Sequence, residues 1–264
     1  MPTVLSAEYP IHVETSGDDR RPALLLLNPL GTTLEVWDPM IETLAERNWV
    51  VRFDSRGHGR SETDVGEFDI ADLVADAIAV LDALEIPRSH LLGDSMGAMV
   101  AATLAGAHQG RVDQLIIASC GVYLGEHSWW DETMKRLEAG GLASITSHLE
   151  DIFFSEEWRA ANVDALGAYR EMFLATNPAT YLFGAQTLRR YSLSEIGEQI
   201  TASTLLIAGE DDPMYEHYPV TDLLSLIPGS EAVNVGGARH RVLTQEHAVL
   251  APLINEFFSD PDAQ

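Results

Sequence analysis

The chain has 264 residues, 46% of them hydrophobic, so it can bury an ordinary core without disulfide or metal staples. Its formal charge of −25, from 41 acidic and 16 basic side chains with Lys135 as the only lysine, works against binding nucleic acid or an anionic membrane, and against an anionic substrate unless a local cation compensates. No apolar run approaches the roughly 18 residues of a membrane span, the opening MPTVLSAEYPIHVE lacks the order of a signal peptide, and the lone Cys120 allows no internal disulfide, which together predict a cytoplasmic protein acting on a small molecule, with homo-oligomers left open.

In chain order, Ala23–Asn28 (ALLLLN) is a short apolar run ending at Pro29-Leu30-Gly31, the mark of a buried strand entering a loop. Trp49–Asp54 (WVVRFD) ends at Ser55-Arg56-Gly57 and predicts a second strand. Across Asp69–Glu85, Ile70, Leu73, Val74, Ala77, Ile78, Leu81 and Leu84 recur at three- and four-residue steps, which predicts a helix with one buried face. Ser89–Gly93 (SHLLG) predicts a third strand, Met96–Ala107 a helix and Val112–Ser119 (VDQLIIAS) a fourth strand. From about Gly125 to Gln199 the rhythm is helical and aromatic, with Trp129, Trp130, Trp158, Tyr169, Phe173, Tyr181 and Phe183. Strands return at Thr204–Ala208 (TLLIA) and Glu231–Val235, with a helix over Tyr215–Ile227 between them and another around Glu246–Phe258.

Strands alternating with helices predict an α/β fold, a mostly parallel central sheet covered by helices on both faces. On this reading 1–124 and 200–264 form the core, and 125–199 is a helical cap inserted after the fourth of these strands. The alternative is one helical run inside a single compact unit.

Gly93-Asp94-Ser95-Met96-Gly97 matches G-x-S-x-G, a weak pattern by itself. Its setting strengthens it: the match follows a strand and opens a helix, the sharp turn that lifts a serine hydroxyl clear of a sheet. The Met96 N–H and the helix N-terminus then lie where an oxyanion would form. The competing reading is an ordinary N-cap serine.

A serine hydroxyl needs a base. Of nine histidines, His240 sits in a Gly-rich loop (GGARHR) after a strand, and loops at strand C-termini share one edge of a parallel sheet. His12, His90, His108, His127, His148, His217 and His247 fit surface or capping roles, and His58, in DSRGHG, a structural loop role. TLLIAG runs into Glu210-Asp211-Asp212-Pro213, three acids of which one can point inward, and Asp212 is chosen as the partner of His240, 28 residues later. The order Ser, Asp, His is that of α/β-hydrolases. The second oxyanion donor falls in Asn28-Pro29-Leu30-Gly31, where Pro29 has no N–H and Leu30 is the choice.

These residues resemble the α/β-hydrolase superfamily, and Asn28–Glu62 (NPLGTTLEVWDPMIETLAERNWVVRFDSRGHGRSE) and Leu81–Ala101 (LDALEIPRSHLLGDSMGAMVA) resemble 3-oxoadipate enol-lactonases in particular. The resemblance is looser across WWDETMKRLEAGGL and holds at superfamily level in IAGEDDP and GGARH. It implies hydrolysis of the enol-lactone of 3-oxoadipate in aromatic catabolism under an aromatic-lined cap, with Trp130 at the family's cap tryptophan. Three positions depart from it: Asp94 stands where a neutral residue is expected, Thr133 where relatives carry an arginine, and Arg241 directly after the histidine. Since that lactone carries a carboxylate, either Arg241 or Arg136 replaces the missing cation, or the substrate is a neutral ester or lactone.

The expected reaction is serine attack on a lactone or ester carbonyl with an acyl-enzyme intermediate. No metal or cofactor is expected, because HExxH, paired Cys/His ligands, GxxxxGK[ST] and a complete GxGxxG are missing from the sequence. Rival readings on the same fold are a general carboxylesterase, a C–C hydrolase of meta-cleavage products, a cofactor-free haloperoxidase-like protein and a non-catalytic receptor.

Overall fold

The computed structural model describes residues 3–6, 9–61, 64, 66–215 and 219–259. Its strands are β1 (Thr3–Ser6), β2 (Tyr9–Ser16), β3 (Ala23–Leu27), β4 (Trp49–Phe53), β5 (Ser89–Asp94), β6 (Val112–Ala118), β7 (Ser203–Gly209) and β8 (Glu231–Val235). They form one sheet in the order β1-β2-β4-β3-β5-β6-β7-β8. From β4 to β8 every pairing is parallel, and β1 and β2 pair antiparallel at one edge.

The uninterrupted ALLLL of β3 follows from its central position. Leu24 and Leu26 face one hydrophobic layer while Leu25 and Leu27 face the other, so both faces are dry. Burying each such leucine contributes about 1.5–3 kcal/mol. One layer brings Trp37, α1 (Asp38–Leu44), α10 (Val242–Gln245) and α11 (His247–Phe257) against Leu24, Leu26, Leu92 and Ile116. The other brings α2 (Ile70–Ala83) and α3 (Met96–Ala107) against Leu25, Leu27, Leu91 and Ile117. Helix α2 opens with a capping box, in which the Asp69 carboxylate accepts from the Asp72 N–H and that of Asp72 accepts from the Asp69 N–H. Helix α3 is buried almost all round; Gly97, Ala98, Ala101, Ala102 and Ala105 keep it thin enough to lie between α2 and the sheet.

Between β6 and β7 the chain forms only helices: α4 (His127–Gly140), α5 (Ala143–Phe153), α6 (Glu156–Ala161), α7 (Val163–Ala175) and α8 (Pro178–Arg190), followed by a short 3-10 turn. They join the rest through the Thr187 hydroxyl, which donates to the Phe68 carbonyl, and the Arg241 N–H, which donates to the Phe153 carbonyl at 3.0 Å. Among the described residues no helix is long and apolar enough to cross a membrane.

The expected mostly parallel sheet with helices on both faces is what forms. The antiparallel edge was not anticipated, although Ile11 and Val13 are buried while His12 and Glu14 stay half-buried, the period of two of a half-buried strand. The helix expected over Tyr215–Ile227 is shorter: α9 spans Val220–Leu226, and residues 216–218, with His217, lie outside those described. The last helix, expected around Glu246–Phe258, forms as α11, and the short α10 precedes it. His90, expected at the surface, is buried in β5 and stacks on Phe258 at 4.8 Å.

The loop after β4 is fixed from below. Arg56 is buried and meets Asp76 of α2 with two hydrogen bonds, Nε to Oδ2 at 2.6 Å and Nη2 to Oδ1 at 2.8 Å, and Nη2 also donates to the Asp72 carbonyl. Removing one member of a buried, hydrogen-bonded ion pair strands the other charge away from water. Asp76→Ala is therefore expected to lower unfolding free energy by about 3–5 kcal/mol in urea titrations. A loss below about 1 kcal/mol would mean that this pair does not anchor the loop.

Candidate active site

The chain reverses between β5 and α3 in one residue. Ser95 has φ 55° and ψ −113°, a conformation that costs a residue with a Cβ on the order of 1–3 kcal/mol and persists only where its surroundings dictate it. Here they do: the Ser95 N–H donates to the Ala118 carbonyl at 3.0 Å, and the Ser95 carbonyl accepts from the Ala98 and Met99 N–H groups. The turn needs two close approaches. A Cβ on Gly93 would lie 2.3 Å from the Gly97 carbonyl oxygen, and one on Gly97 would lie 1.9 Å from that of Leu27. Only glycine lets the helix start this near the ends of β5 and β3.

The Ser95 hydroxyl stands 3.0 Å from His240 Nε2, and His240 Nδ1 stands 2.7 Å from Asp212 Oδ2. All three side chains are buried. A carboxylate can only accept, so Nδ1 carries the hydrogen toward Asp212 and Nε2 is left to accept the serine proton. Asp212 is held by its other oxygen, Oδ1, which accepts from the Met214 N–H at 2.9 Å. Its neighbours Glu210 and Asp211 are exposed, so one of the three adjacent acids points inward. Ser95 follows β5, Asp212 follows β7 and His240 follows β8, which puts all three at the carboxyl edge of the sheet.

The turn after β3 is pinned at several points. Asn28 donates to the Phe53 carbonyl at 2.8 Å and accepts from the Trp37 indole N–H at 2.7 Å. The Thr32 hydroxyl donates to the Pro29 carbonyl, and the Leu34 N–H donates to Asp54. The Gly31 N–H donates to His58 Nε2 at 3.1 Å, while His58 Nδ1 faces the Arg56 carbonyl at 3.0 Å. The carbonyl takes a proton from Nδ1, so Nε2 must be unprotonated to accept from Gly31, and His58 is neutral. Burial pulls its pKa down to about 4. Among the described residues, no protein acceptor takes the N–H of Leu30 or Met96. No three His, Cys, Asp or Glu side chains among them converge as a metal site.

The family profile for the alpha/beta hydrolase fold matches residues 22–246. The chain belongs to the α/β-hydrolase fold family. This α/β-hydrolase enzyme is 30% identical over 205 residues to 3-oxoadipate enol-lactonase 1 of Acinetobacter baylyi, covering 77% of this chain and 76% of that one. It is 29% identical over 212 residues to RutD of Variovorax paradoxus, provisionally named a carbamate hydrolase, covering 78% of this chain and 79% of that one. In fold it matches the crystal structure of the enol-lactonase from Burkholderia xenovorans LB400 with a TM-score of 0.93 at 23% identity, over 98% of this chain and 100% of that one.

Two of the remaining sequence-chosen residues of this α/β-hydrolase lie in unexpected settings. Arg136 is not gathered at the site. It is exposed on α4 and pairs with Glu132 one turn earlier, the ordinary helix-surface arrangement. Arg241 is deeply buried, and its guanidinium is 3.4 Å from Asp94, the other residue out of pattern. Trp130 is buried on α4, and its indole N–H donates to the Leu124 carbonyl. Thr133 is buried on the same helix.

Two residues near the triad escaped the sequence. Phe153 stacks on His240 at 5.4 Å between ring centres, and the Tyr169 hydroxyl accepts from Arg241 Nε at 3.0 Å. Tyr169 belongs to the aromatic run noted above and Phe153 lies in the same helical segment, but only the packing of α5 and α7 onto the strand ends selects them. His58 was assigned to its loop, and its bond to Gly31 spans 27 residues.

A histidine held neutral in the fold makes stability pH-dependent. As pH falls from 6.5, the ordinary histidine value, to about 4, the unfolded chain takes up a proton that folded His58 refuses. The fold loses about 3 kcal/mol across that window from this residue. His58→Gln, which keeps an acceptor and a donor but does not titrate, is expected to lose about 2 kcal/mol less than the parent between pH 7 and 4.5 in urea titrations. Identical losses would remove His58 as the source.

Proposed function

We propose that this α/β-hydrolase cleaves a small lactone or ester through an acyl-enzyme on Ser95. The reading rests above all on the unbroken line from the Ser95 hydroxyl through His240 to Asp212, with contacts of 3.0 and 2.7 Å. His240 Nε2 takes the hydroxyl proton as Ser95 attacks the carbonyl carbon, and Asp212 fixes the tautomer and stabilises the imidazolium. The N–H groups of Leu30 and Met96 receive the oxyanion; His58 acts on the first of them as a positioning residue, by holding Gly31. His240 then protonates the departing oxygen and later activates the water that releases the acyl group.

Residues 125–199 serve as a cap over this chemistry, with Trp130 in its wall and Phe153 against the base. Similarity to the enol-lactonase of A. baylyi supports an enol-lactone, such as that of 3-oxoadipate, as the first substrate to try. An enol oxygen is an undemanding leaving group because it passes to a ketone on protonation. Similarity to RutD adds carbamates to the same screen. The single buried Cys120, whose thiol burial pushes up and out of the reactive range, fits a cytoplasmic protein without redox function.

Ser95→Ala is expected to fold as the parent does and to lose on the order of 10⁶ in turnover of an aryl ester. Asp212→Asn should lose on the order of 10⁴, because the wrong tautomer is then favoured. A Ser95→Ala protein that keeps a tenth of the parent rate would end the reading.

A further inference from the structure

Asp94 and Arg241 are 147 positions apart, more than half of the chain, yet each is the covalent neighbour of a triad residue. Asp94 precedes Ser95 and Arg241 follows His240. Their side chains are 2% and 1% exposed and meet as an ion pair at 3.4 Å. Arg241 is further enclosed by the Phe153 ring, 4.4 Å from the guanidinium carbon, and its Nε donates to the Tyr169 hydroxyl. Phe153 in turn stacks on His240, so the pair lies beside the base. Across the site, Gly31 abuts Phe173 and Tyr181. A buried ion pair therefore lies beside both Ser95 and His240.

Two features of that pair bear on the substrate. First, the Arg241 charge already has its counter-charge, so a substrate carboxylate arriving beside it would bring a second anion into a dry space next to Asp94. Second, only one oxygen of Asp94 is engaged: Oδ1 is buried, and no group among the described residues donates to it. A carboxylate oxygen taken out of water without a donor is strongly disfavoured. A substrate hydroxyl or amide N–H at that point would satisfy it.

We infer that Asp94 is a specificity-determining residue: paired with Arg241, it selects an uncharged lactone or ester that carries a hydrogen-bond donor a few bonds from the scissile carbonyl, and it disfavours a carboxylate there. The inference rests on the serine-hydrolase reading above and narrows it from lactones and esters in general to neutral, donor-bearing ones. Within the enol-lactones that similarity puts first in the screen, it makes the anionic 3-oxoadipate compound a poorer substrate than a neutral analogue.

The test uses three γ-butyrolactones that differ only at ring carbon 3: unsubstituted, 3-hydroxy and 3-carboxylate, with hydrolysis followed by pH-stat. The intact protein is expected to favour the hydroxyl compound over the unsubstituted one by about tenfold in kcat/KM, the scale of a hydrogen bond to a charged group. It should turn over the carboxylate compound at least about tenfold less well than the unsubstituted one. In D94N, Arg241 loses its counter-charge, and the carboxylate-to-unsubstituted ratio should rise about tenfold or more. No hydroxyl advantage in the parent, a parent preference for the carboxylate, or a D94N effect equal on all three would each overturn the inference. The parent profile decides even if D94N fails to fold. Fluorophosphonate labelling of Ser95 in the parent keeps the two readings apart: without labelling the hydrolase reading fails, and with labelling but a flat profile only the assignment of Asp94 fails.

Discussion

Ser95 occupies a backbone conformation that the chain would not adopt unaided, and the rest of the site is built around that turn. The φ of 55° is imposed from three sides: by the Ala118 carbonyl of the neighbouring strand, by the first turn of α3 and by the glycines that let the helix press against β5 and β3. Strain of this size survives only where packing is rigid, and the dry parallel sheet with α3 wedged against it supplies that rigidity. The consequence is a hydroxyl fixed above the sheet edge, at the one place where loops from β3, β7 and β8 also arrive.

Around this turn the protein handles charge in two ways. Its surface carries most of a net charge of −25 and is answered by solvent. Among the described residues, buried charges have partners close by, among them Arg56 with Asp76 under the loop that bears His58 and Arg241 with Asp94 beside His240. The first pair is doubly hydrogen-bonded and structural. The second is longer, leaves one carboxylate oxygen without a donor and adjoins His240, which is the kind of partial satisfaction found where a protein meets a ligand rather than where it holds itself together.

The three departures from the enol-lactonase pattern look independent along the chain, but two of them are one feature. Asp94, just before Ser95, and Arg241, just after His240, form a single buried pair. The third, Thr133, is a small buried hydroxyl on α4, and the exposed Arg136 nearby pairs with Glu132. The positive charge of Arg241 beside His240 comes with its own neutralising partner.

The sequence alone determined the alternation of strands and helices, because a strand buried on both faces must be apolar throughout and a helix on its surface must repeat its apolar side at three and four residues. It determined the elbow, since G-x-S-x-G between a strand and a helix encodes steric room that only glycine provides. It also picked out Asp212 and His240 as positions on loops sharing the sheet's carboxyl edge. Which aromatics of the helical segment touch His240, that His58 holds Gly31 and that Asp94 finds Arg241 were decided by tertiary structure. Those contacts join residues 27, 87 and 147 positions apart, with no local pattern to announce them. Periodicity records which face of an element is dry; it cannot record which side chains meet across two elements, because that depends on how the layers pack.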